Sequence, residues 1–171
     1  MLDYTELALD IRSAILNCEN FHQLGDEQHA ALLSKVTSCL LKQAVSQAGL
    51  DTRERIVVIG PETMGAKMIA ALTRLDQTGE LGMMAICTRT IVKDRNNARS
   101  WHWNCDTRSL LTQNPQIVLI DDTFRYGTTL KKVQAMVAQY GATIDVVAVL
   151  RNYCSGVECS VPIVSLESCY Q

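Results

Sequence analysis

The sequence has no apolar run that approaches the roughly 20 residues needed to cross a bilayer, so we expect no membrane contact. It also has no excess of basic charge. The formal net charge of −2 gives no electrostatic reason to expect a nucleic-acid partner. Acidic residues lie within the first ten positions, where a secretory signal peptide would carry basic ones. Together these absences predict a cytoplasmic protein.

Metal-binding cysteine pairs are also missing, although the chain has seven cysteines. No two of them form a C-x-x-C pair, and Cys154, Cys159 and Cys169 lack a convincing fourth ligand. The three histidines show no metal-ligand spacing. We therefore interpret the cysteines as small buried or half-buried thiols in a reducing compartment, and we expect no metal held directly by side chains.

The length predicts one domain over residues 1–171, since a chain of this size can bury a sizeable core. Residues 1–50 form an N-terminal helical segment in this interpretation. Apolar residues recur at helical spacing over 2–17 and again over 26–49, where Gly49 is a natural helix stop.

Strand and helix patterns alternate through the core, residues 55–166. The predicted strands cover residues 55–60, 81–88, 117–121, 143–150 and 161–166, and the predicted helices cover residues 64–75 and 128–141. This alternation is typical of an α/β protein. It predicts a Rossmann-like parallel sheet flanked by helices on both faces.

The stretch IVLIDDTFRYGTTLKK places two carboxylates, Asp121 and Asp122, where a buried strand ends. Gly127 permits a tight turn, and two threonines then open a helix whose first N–H groups can cradle a phosphate. Paired carboxylates suit hydroxyls or a divalent cation. A ligand with a phosphate at one end and a diol nearby satisfies both features. The alternative is an ordinary strand-to-helix turn that is capped by an aspartate.

Residues 118–129, VLIDDTFRYGTT, resemble the phosphoribosyl pyrophosphate (PRPP) motif of type I phosphoribosyltransferases. In that family the two acids bind the ribose 2′- and 3′-hydroxyls, and the following loop wraps the 5′-phosphate. The resemblance implies that PRPP is bound by Asp121, Asp122, Thr123, Arg125, Tyr126, Gly127, Thr128 and Thr129. It also implies the family's fold, Mg²⁺ that is held through PRPP, a nucleobase-like acceptor and a homodimer.

A second loop, GPETMG at residues 60–65, follows the first predicted strand of the core. It is similar to the family's pyrophosphate-binding loop, which often has the pattern Gly-x-Glu-x-x-Gly. The resemblance implies that the pyrophosphate is held by Glu62, Thr63, Met64 and Gly65. A plain strand-to-helix turn is the alternative for this stretch.

A third region, residues 88–108, is polar and basic. Its octet RTIVKDRN is similar to the mobile loop of orotate phosphoribosyltransferases, and it keeps that pattern's Arg and Lys as Arg89 and Lys93. The octet differs from the pattern at Thr90, Ile91, Arg95 and Asn96. We expect residues 89–105 to form a mobile loop without ligand. A solvated basic loop without a catalytic role is the alternative.

The strand predicted over residues 143–150 is followed by Arg151. This matches the arginine of an Asp-Arg pair that ends the corresponding strand of orotate enzymes. Arg151 is therefore a candidate base-binding residue, able to pair with a carboxylate on the base. A structural arginine at a strand end is the alternative.

These features predict a phosphoribosyltransferase that binds PRPP with Mg²⁺ and transfers phosphoribose to a nucleobase-like, orotate-like acceptor. The resemblance implies that Lys93, Arg89 and Asp122 are catalytic, with the two basic groups neutralising the leaving pyrophosphate. One alternative is a catalytically weak or inactive PRPP- or nucleotide-binding regulatory protein of the same fold. Another is an unrelated α/β binding domain.

Overall fold

The computed structural model describes residues 26–77, 86–93, 101–154 and 159–168, and its helices and strands are numbered here in chain order. The helices are α1 (Asp26–Ala48), α2 (Met64–Gln77), α3 (Arg108–Leu111) and α4 (Thr128–Ala138). The strands are β1 (Ile56–Pro61), β2 (Ile86–Lys93), β3 (Trp101–Trp103), β4 (Gln116–Phe124), β5 (Val146–Asn152) and β6 (Ile163–Ser168). The helix predicted over residues 2–17 lies outside the described residues.

The strands form one sheet in the order β3-β2-β1-β4-β5-β6. Every neighbouring pair is parallel except β2 and β3, which form an antiparallel pair at one edge. The predicted parallel sheet is therefore confirmed, with an added antiparallel edge strand. Because β1, β2, β4, β5 and β6 run in the same direction, their carboxyl ends meet at a single edge of the sheet.

Helices cover both faces of the sheet, as the sequence predicts. Val118 and Ile120 of β4 pack in one buried cluster with residues of α1 and α2. Ile117 and Leu119, which alternate with them, pack in a second cluster with residues of α3 and α4. This alternation is the two-residue period of a strand, so successive β4 side chains point to opposite faces.

The end of α1 is fixed by Gly49, which has a φ of 66°. Such a left-handed residue is typical of a helix C-terminus, because it turns the chain and lets later N–H groups reach the last carbonyls. Here the N–H of Leu50 donates to the carbonyl of Val45 at 3.0 Å. The stop predicted at Gly49 is confirmed.

Residues 89–93 and 101–103, predicted as parts of a mobile loop, are strands in the structure. The prediction was wrong there because it ended the strand at residue 88, where the polar and basic residues begin. The segment is nevertheless rich in β-branched side chains (Thr90, Ile91, Val92), which favour strands. The second half of the hairpin is held by Trp101 and Trp103, which pack against the cluster of α3 and α4.

The five described cysteines are free. Cys39, Cys87, Cys154 and Cys159 are half-buried, and Cys105 is exposed. Burial raises the pKa of the Cys39 thiol above its ordinary value. Four of these five cysteines agree with the interpretation as buried or half-buried thiols, and the exposed Cys105 contradicts it. No helix in the described part of the chain is long and apolar enough to cross a membrane.

The segment between α1 and β1 is tied to the start of β4 through Asp51. The side-chain amide of Gln116 donates to the Asp51 carbonyl at 2.9 Å, and its oxygen accepts from the Asp51 N–H at 2.7 Å. The Asp51 carboxylate in turn accepts hydrogen bonds from the Arg53 side chain at 2.8 and 3.0 Å and from the Arg53 backbone at 2.9 Å.

The bonds from the Arg53 side chain, and next the bond from its backbone N–H, lower the pKa of Asp51 to about 2. Because the folded-state pKa is depressed, the pair stabilises the fold above about pH 4, and this contribution is lost as pH falls toward the folded pKa. We expect an NMR titration of the Asp51 carboxyl carbon to move toward the ordinary aspartate pKa in Arg53→Gln and to stay low in the control Arg74→Gln. An ordinary aspartate pKa in the wild type would contradict the pairing.

Candidate functional site

The two adjacent acids lie in the second half of β4, which runs to Phe124 rather than to residue 121 as predicted. Asp121 and Asp122 are half-buried and lie beyond Leu119, the last β4 residue that pairs with β1. The N–H of Asp122 donates to Oδ1 of Asp121 at 3.0 Å. Thr123, predicted as a loop residue, is an exposed residue of the strand.

A short turn follows β4 and opens α4 at Gly127, the residue that caps the helix N-terminus with a φ of 67°. The Gly127 carbonyl accepts from the N–H of Lys131 at 2.9 Å, which begins the helical ladder. No side chain caps this N-terminus. The first N–H groups of the helix, at Thr128 and Thr129, have no acceptor inside the helix and can therefore bind an anion. This is the geometry that the sequence predicts for a phosphate cradle.

Two bulky residues, Arg125 and Tyr126, form the tip of this turn. Tyr126 is 77% exposed. Arg125 is also exposed, and its guanidinium carbon lies 4.8 Å from the ring centroid of Tyr153. Tyr153 was not among the residues singled out from the sequence. Its one signal in the sequence is its position, since Tyr153 is an aromatic residue just after the strand that carries Arg151.

The second predicted loop, residues 60–65, lies at the same edge of the sheet and covers the end of β1, residues 62 and 63, and the start of α2. A Cβ added at Gly60 would overlap the carbonyl oxygen of Gly65, and one added at Gly65 would lie 2.8 Å from the carbonyl oxygen of Ile120. The start of α2 therefore packs directly on β4, one residue before the first acid. Neither contact leaves room for a side chain.

The other side of this loop is fixed to β2. The N–H of Glu62 donates to the carbonyl of Ile91 at 2.9 Å, and the peptide bond between Glu62 and Thr63 is cis. Thr63 is exposed and Met64 is half-buried. The structure thus brings the second predicted loop beside the acids of β4, as ligand binding by both would require.

The two predicted basic catalytic residues are on β2. Arg89 lies opposite Ile59 of β1, and its Nη1 donates to the Thr88 carbonyl at 2.7 Å and to Sγ of Cys87 at 3.1 Å. In this conformation its guanidinium bonds back to residues earlier in the strand. Lys93 is the last residue of β2 and pairs with Trp101 of β3. Residues 94–100 lie outside the described part.

The predicted base-binding residue, Arg151, is near the end of β5. Its Cα is opposite that of Thr123, so it lies one strand away from the two acids and beyond Asp121 along the sheet. Its Nη1 is 3.5 Å from the hydroxyl of Tyr153. Arg151 from β5 and Arg125 from the turn after β4 therefore approach the same tyrosine.

No group of three or more His, Cys, Asp or Glu side chains among the described residues could hold a metal ion. The two carboxylates of β4 are hard oxygen donors of the type that Mg²⁺ accepts, usually together with water and substrate phosphates. These carboxylates would complement a Mg²⁺ ion that is held mainly by a bound phosphate compound, and Mg²⁺ held through PRPP stays a prediction.

Comparison with solved structures found several similar chains. Orotate phosphoribosyltransferase from Aeropyrum pernix is 19% identical with a TM-score of 0.53, over 84% of this chain and 73% of that one. Hypoxanthine-guanine phosphoribosyltransferase from Bacillus anthracis is 14% identical with a TM-score of 0.54, over 81% and 77%. A protein from Neisseria gonorrhoeae with bound ppGpp is 11% identical with a TM-score of 0.50, over 81% and 80%.

A comparison with models of protein families found no match to this chain, and neither did a comparison with the sequences of curated proteins. The likeness is therefore one of structure rather than of sequence. It covers more than three quarters of the chain in each of the three comparisons. The chain has the type I phosphoribosyltransferase fold.

Proposed function

We propose that this protein binds PRPP with Mg²⁺ and transfers its phosphoribosyl group to a nucleobase-like acceptor. One observation carries the proposal. A pair of half-buried carboxylates and an uncapped helix N-terminus belong to the same strand–turn–helix unit, with Asp121 and Asp122 on β4 and Gly127 at the start of α4. A sugar phosphate carries the matching groups, a diol and a phosphate, a few bonds apart.

The carboxylates would hold the ribose. Ionised carboxylates are strong acceptors for hydroxyl donors, and bonds to charged groups are stronger than neutral ones. The bond from the Asp122 N–H to Asp121 Oδ1 restricts the Asp121 carboxylate before any ligand arrives. In this proposal Asp122 is also catalytic, because its negative charge lies beside a ribose ring that becomes positive in the transition state.

The turn and helix start would hold the 5′-phosphate. The N–H groups of Thr128 and Thr129 lie at the positive end of the α4 dipole, which favours an anion. The hydroxyls of both threonines and the guanidinium of Arg125 add donors at the same place. Because Tyr126 is exposed, the outer side of the turn faces solvent.

The loop of Glu62, Thr63, Met64 and Gly65 would hold the pyrophosphate. It is fixed on one side by the bond from the Glu62 N–H to the Ile91 carbonyl. On the other side Gly65 packs on β4. A bound Mg²⁺ ion would reduce the negative charge of the pyrophosphate. It would also contact oxygen atoms of the ribose.

In the proposed reaction a ring nitrogen of the acceptor forms a bond to the anomeric carbon and loses its proton to water, and the bond from that carbon to the pyrophosphate oxygen breaks. The electron pair leaves with pyrophosphate. Positive charge near the leaving group is then favourable, and Lys93 and Arg89 are the proposed sources. Arg151 would contact the acceptor, since it lies on the strand next to the ribose-binding acids.

One observation favours the alternative, a PRPP- or nucleotide-binding protein with weak or no turnover. Arg89 bonds to Thr88 and Cys87, so it must change its side-chain conformation before it can contact a leaving group. A nucleotide bound in the Neisseria gonorrhoeae neighbour supports the same alternative. The homodimer implied by the sequence resemblance stays a prediction.

A calorimetric titration with PRPP and Mg²⁺, followed by a pyrophosphate-release assay across bases, tests the proposal. Binding together with release on addition of one base supports the transferase. Binding without release for any base supports the regulatory alternative. A wild-type protein that does not bind PRPP with Mg²⁺ would remove the transferase and the PRPP-binding form of the alternative.

Orotate is expected to be a weak substrate. The octet RTIVKDRN departs from the orotate pattern at four positions, and Arg151 is the one described residue proposed to contact a carboxylate on the base. A site with a single such contact discriminates poorly, because specificity needs several polar groups that a wrong ligand leaves unpaired. Steady-state kinetics with orotate beside uracil, hypoxanthine, guanine and adenine check this. Orotate turnover at about 10 s⁻¹, an ordinary enzyme rate, that is lost in Arg151→Ala would contradict it.

A further inference from the structure

Tyr153 lies immediately after β5 and contacts both arginines at the carboxyl edge of the sheet. Its ring lies under the Arg125 guanidinium, with 4.8 Å between the guanidinium carbon and the ring centroid. Its hydroxyl is 3.5 Å from Nη1 of Arg151. It is half-buried where the ligand groups are proposed to meet.

The position of the tyrosine is fixed by its backbone. The N–H of Tyr153 donates to the carbonyl of Phe124 at 2.9 Å, which joins the end of β5 to the end of β4. The next residue strengthens the connection, because Sγ of Cys154 contacts the carbonyl of Arg125 and its N–H donates to Oδ1 of Asn152 at 3.0 Å. The segment after β5 therefore forms a support for the turn that carries Arg125.

An exposed arginine that lacks such a support samples many rotamers, and ordering it on binding lowers affinity. The negative face of an aromatic ring attracts a guanidinium and restricts it. Tyr153 does this for Arg125 while its hydroxyl oxygen faces Arg151. One side chain thus contacts both arginines at the edge where anionic groups are proposed to bind.

We propose that Tyr153 is a positioning residue, which holds the Arg125 guanidinium in place for the 5′-phosphate of PRPP. This inference rests on the proposed function, because it deepens the assignment of the same site. Tyr153 acts through Arg125, so its loss weakens 5′-phosphate binding and leaves the pyrophosphate loop on the other side of β4 unchanged.

The test is a double-mutant cycle with Arg125→Gln, Tyr153→Leu and the combined variant, read as the calorimetric Kd for PRPP with Mg²⁺. Loss of the stacking in Tyr153→Leu is expected to weaken binding about threefold to fivefold. In the Arg125→Gln background the same change has little further effect. Tyr153→Phe keeps the ring and restores most of the affinity. Pyrophosphate with Mg²⁺ binds all variants as it binds the wild type.

Additive effects of the two substitutions would overturn the inference, and so would equal losses in Tyr153→Leu and Tyr153→Phe. A parallel loss of pyrophosphate affinity would do the same, since it indicates general damage rather than positioning. Tyr140→Leu, at a half-buried tyrosine beyond the end of α4, is the matched control and should bind PRPP as the wild type does.

If Tyr153→Leu melts far below the wild type, Tyr153→Gln replaces it in the cycle, with the same outcomes. Failure of the proposed function is seen separately, because a wild-type protein without affinity for PRPP and Mg²⁺ shows it before any variant is measured. In that case the positioning role for PRPP is wrong as well.

Discussion

Replacing Asp121 and Asp122 together with asparagine is expected to abolish measurable PRPP binding while the fold stays intact. Each carboxylate is proposed to accept a charge-assisted hydrogen bond from a ribose hydroxyl. Such bonds contribute about 1.5–3 kcal/mol each, so the loss of both corresponds to about a hundredfold or more in Kd. The amide group has nearly the same volume as the carboxylate, so the packing around β4 should change little.

The measurement is a calorimetric titration of the double variant with PRPP and Mg²⁺, with thermal melting as the check on folding. The matched control is Asp76→Asn, at an exposed aspartate of α2. It should bind PRPP as the wild type does. Unchanged affinity in the double variant would remove the ribose assignment, and a cooperative melt close to that of the wild type would exclude unfolding as the cause of any loss.

Substituting Gly60 by alanine is expected to give the second-largest effect. Its Cβ would overlap the carbonyl of Gly65 and the side chain of Ile69, so residues 61–65 and the start of α2 must shift away from β1. Overpacking of this kind lowers stability by about 1–3 kcal/mol. A displacement of about 1 Å in a binding loop can weaken function by up to a hundredfold, so we expect PRPP affinity to fall by about tenfold or more.

Gly49→Ala separates this effect from general loss of stability. Gly49 has a φ of 66° and no atom within 4 Å of an added Cβ, so alanine there costs about 1–2 kcal/mol through backbone strain alone. Urea unfolding should show both variants to be less stable than the wild type. PRPP affinity should fall only in Gly60→Ala. Wild-type affinity in that variant would show that the loop of residues 61–65 does not touch the ligand.

Local patterns in the sequence were enough to predict the acids, the turn and the helix start. The strand before Asp121 is a continuous apolar run, and Gly127 and the threonines are adjacent to it in sequence. The order of strands and helices was also predictable, because buried parallel strands and amphipathic helices have different periods. These features depend on neighbours within about ten residues.

Features that depend on distant neighbours were missed or misjudged. The hairpin of β2 and β3 is held by Trp101 and Trp103, which pack against helices from later in the chain. The polar residues of this segment, considered without those helices, predicted a loop. Tyr153 became a candidate only when β5 was found beside β4. Arg89 was predicted in a loop, whereas its backbone lies on β2 opposite Ile59 of β1.

The most direct test of the account is a crystal structure of the complex with PRPP and Mg²⁺. The account predicts ribose hydroxyls within hydrogen-bonding distance of the Asp121 and Asp122 carboxylates. It also predicts the 5′-phosphate on the N–H groups that follow Gly127. A ligand bound elsewhere, or one bound at this edge with its ribose away from both carboxylates, would contradict the account.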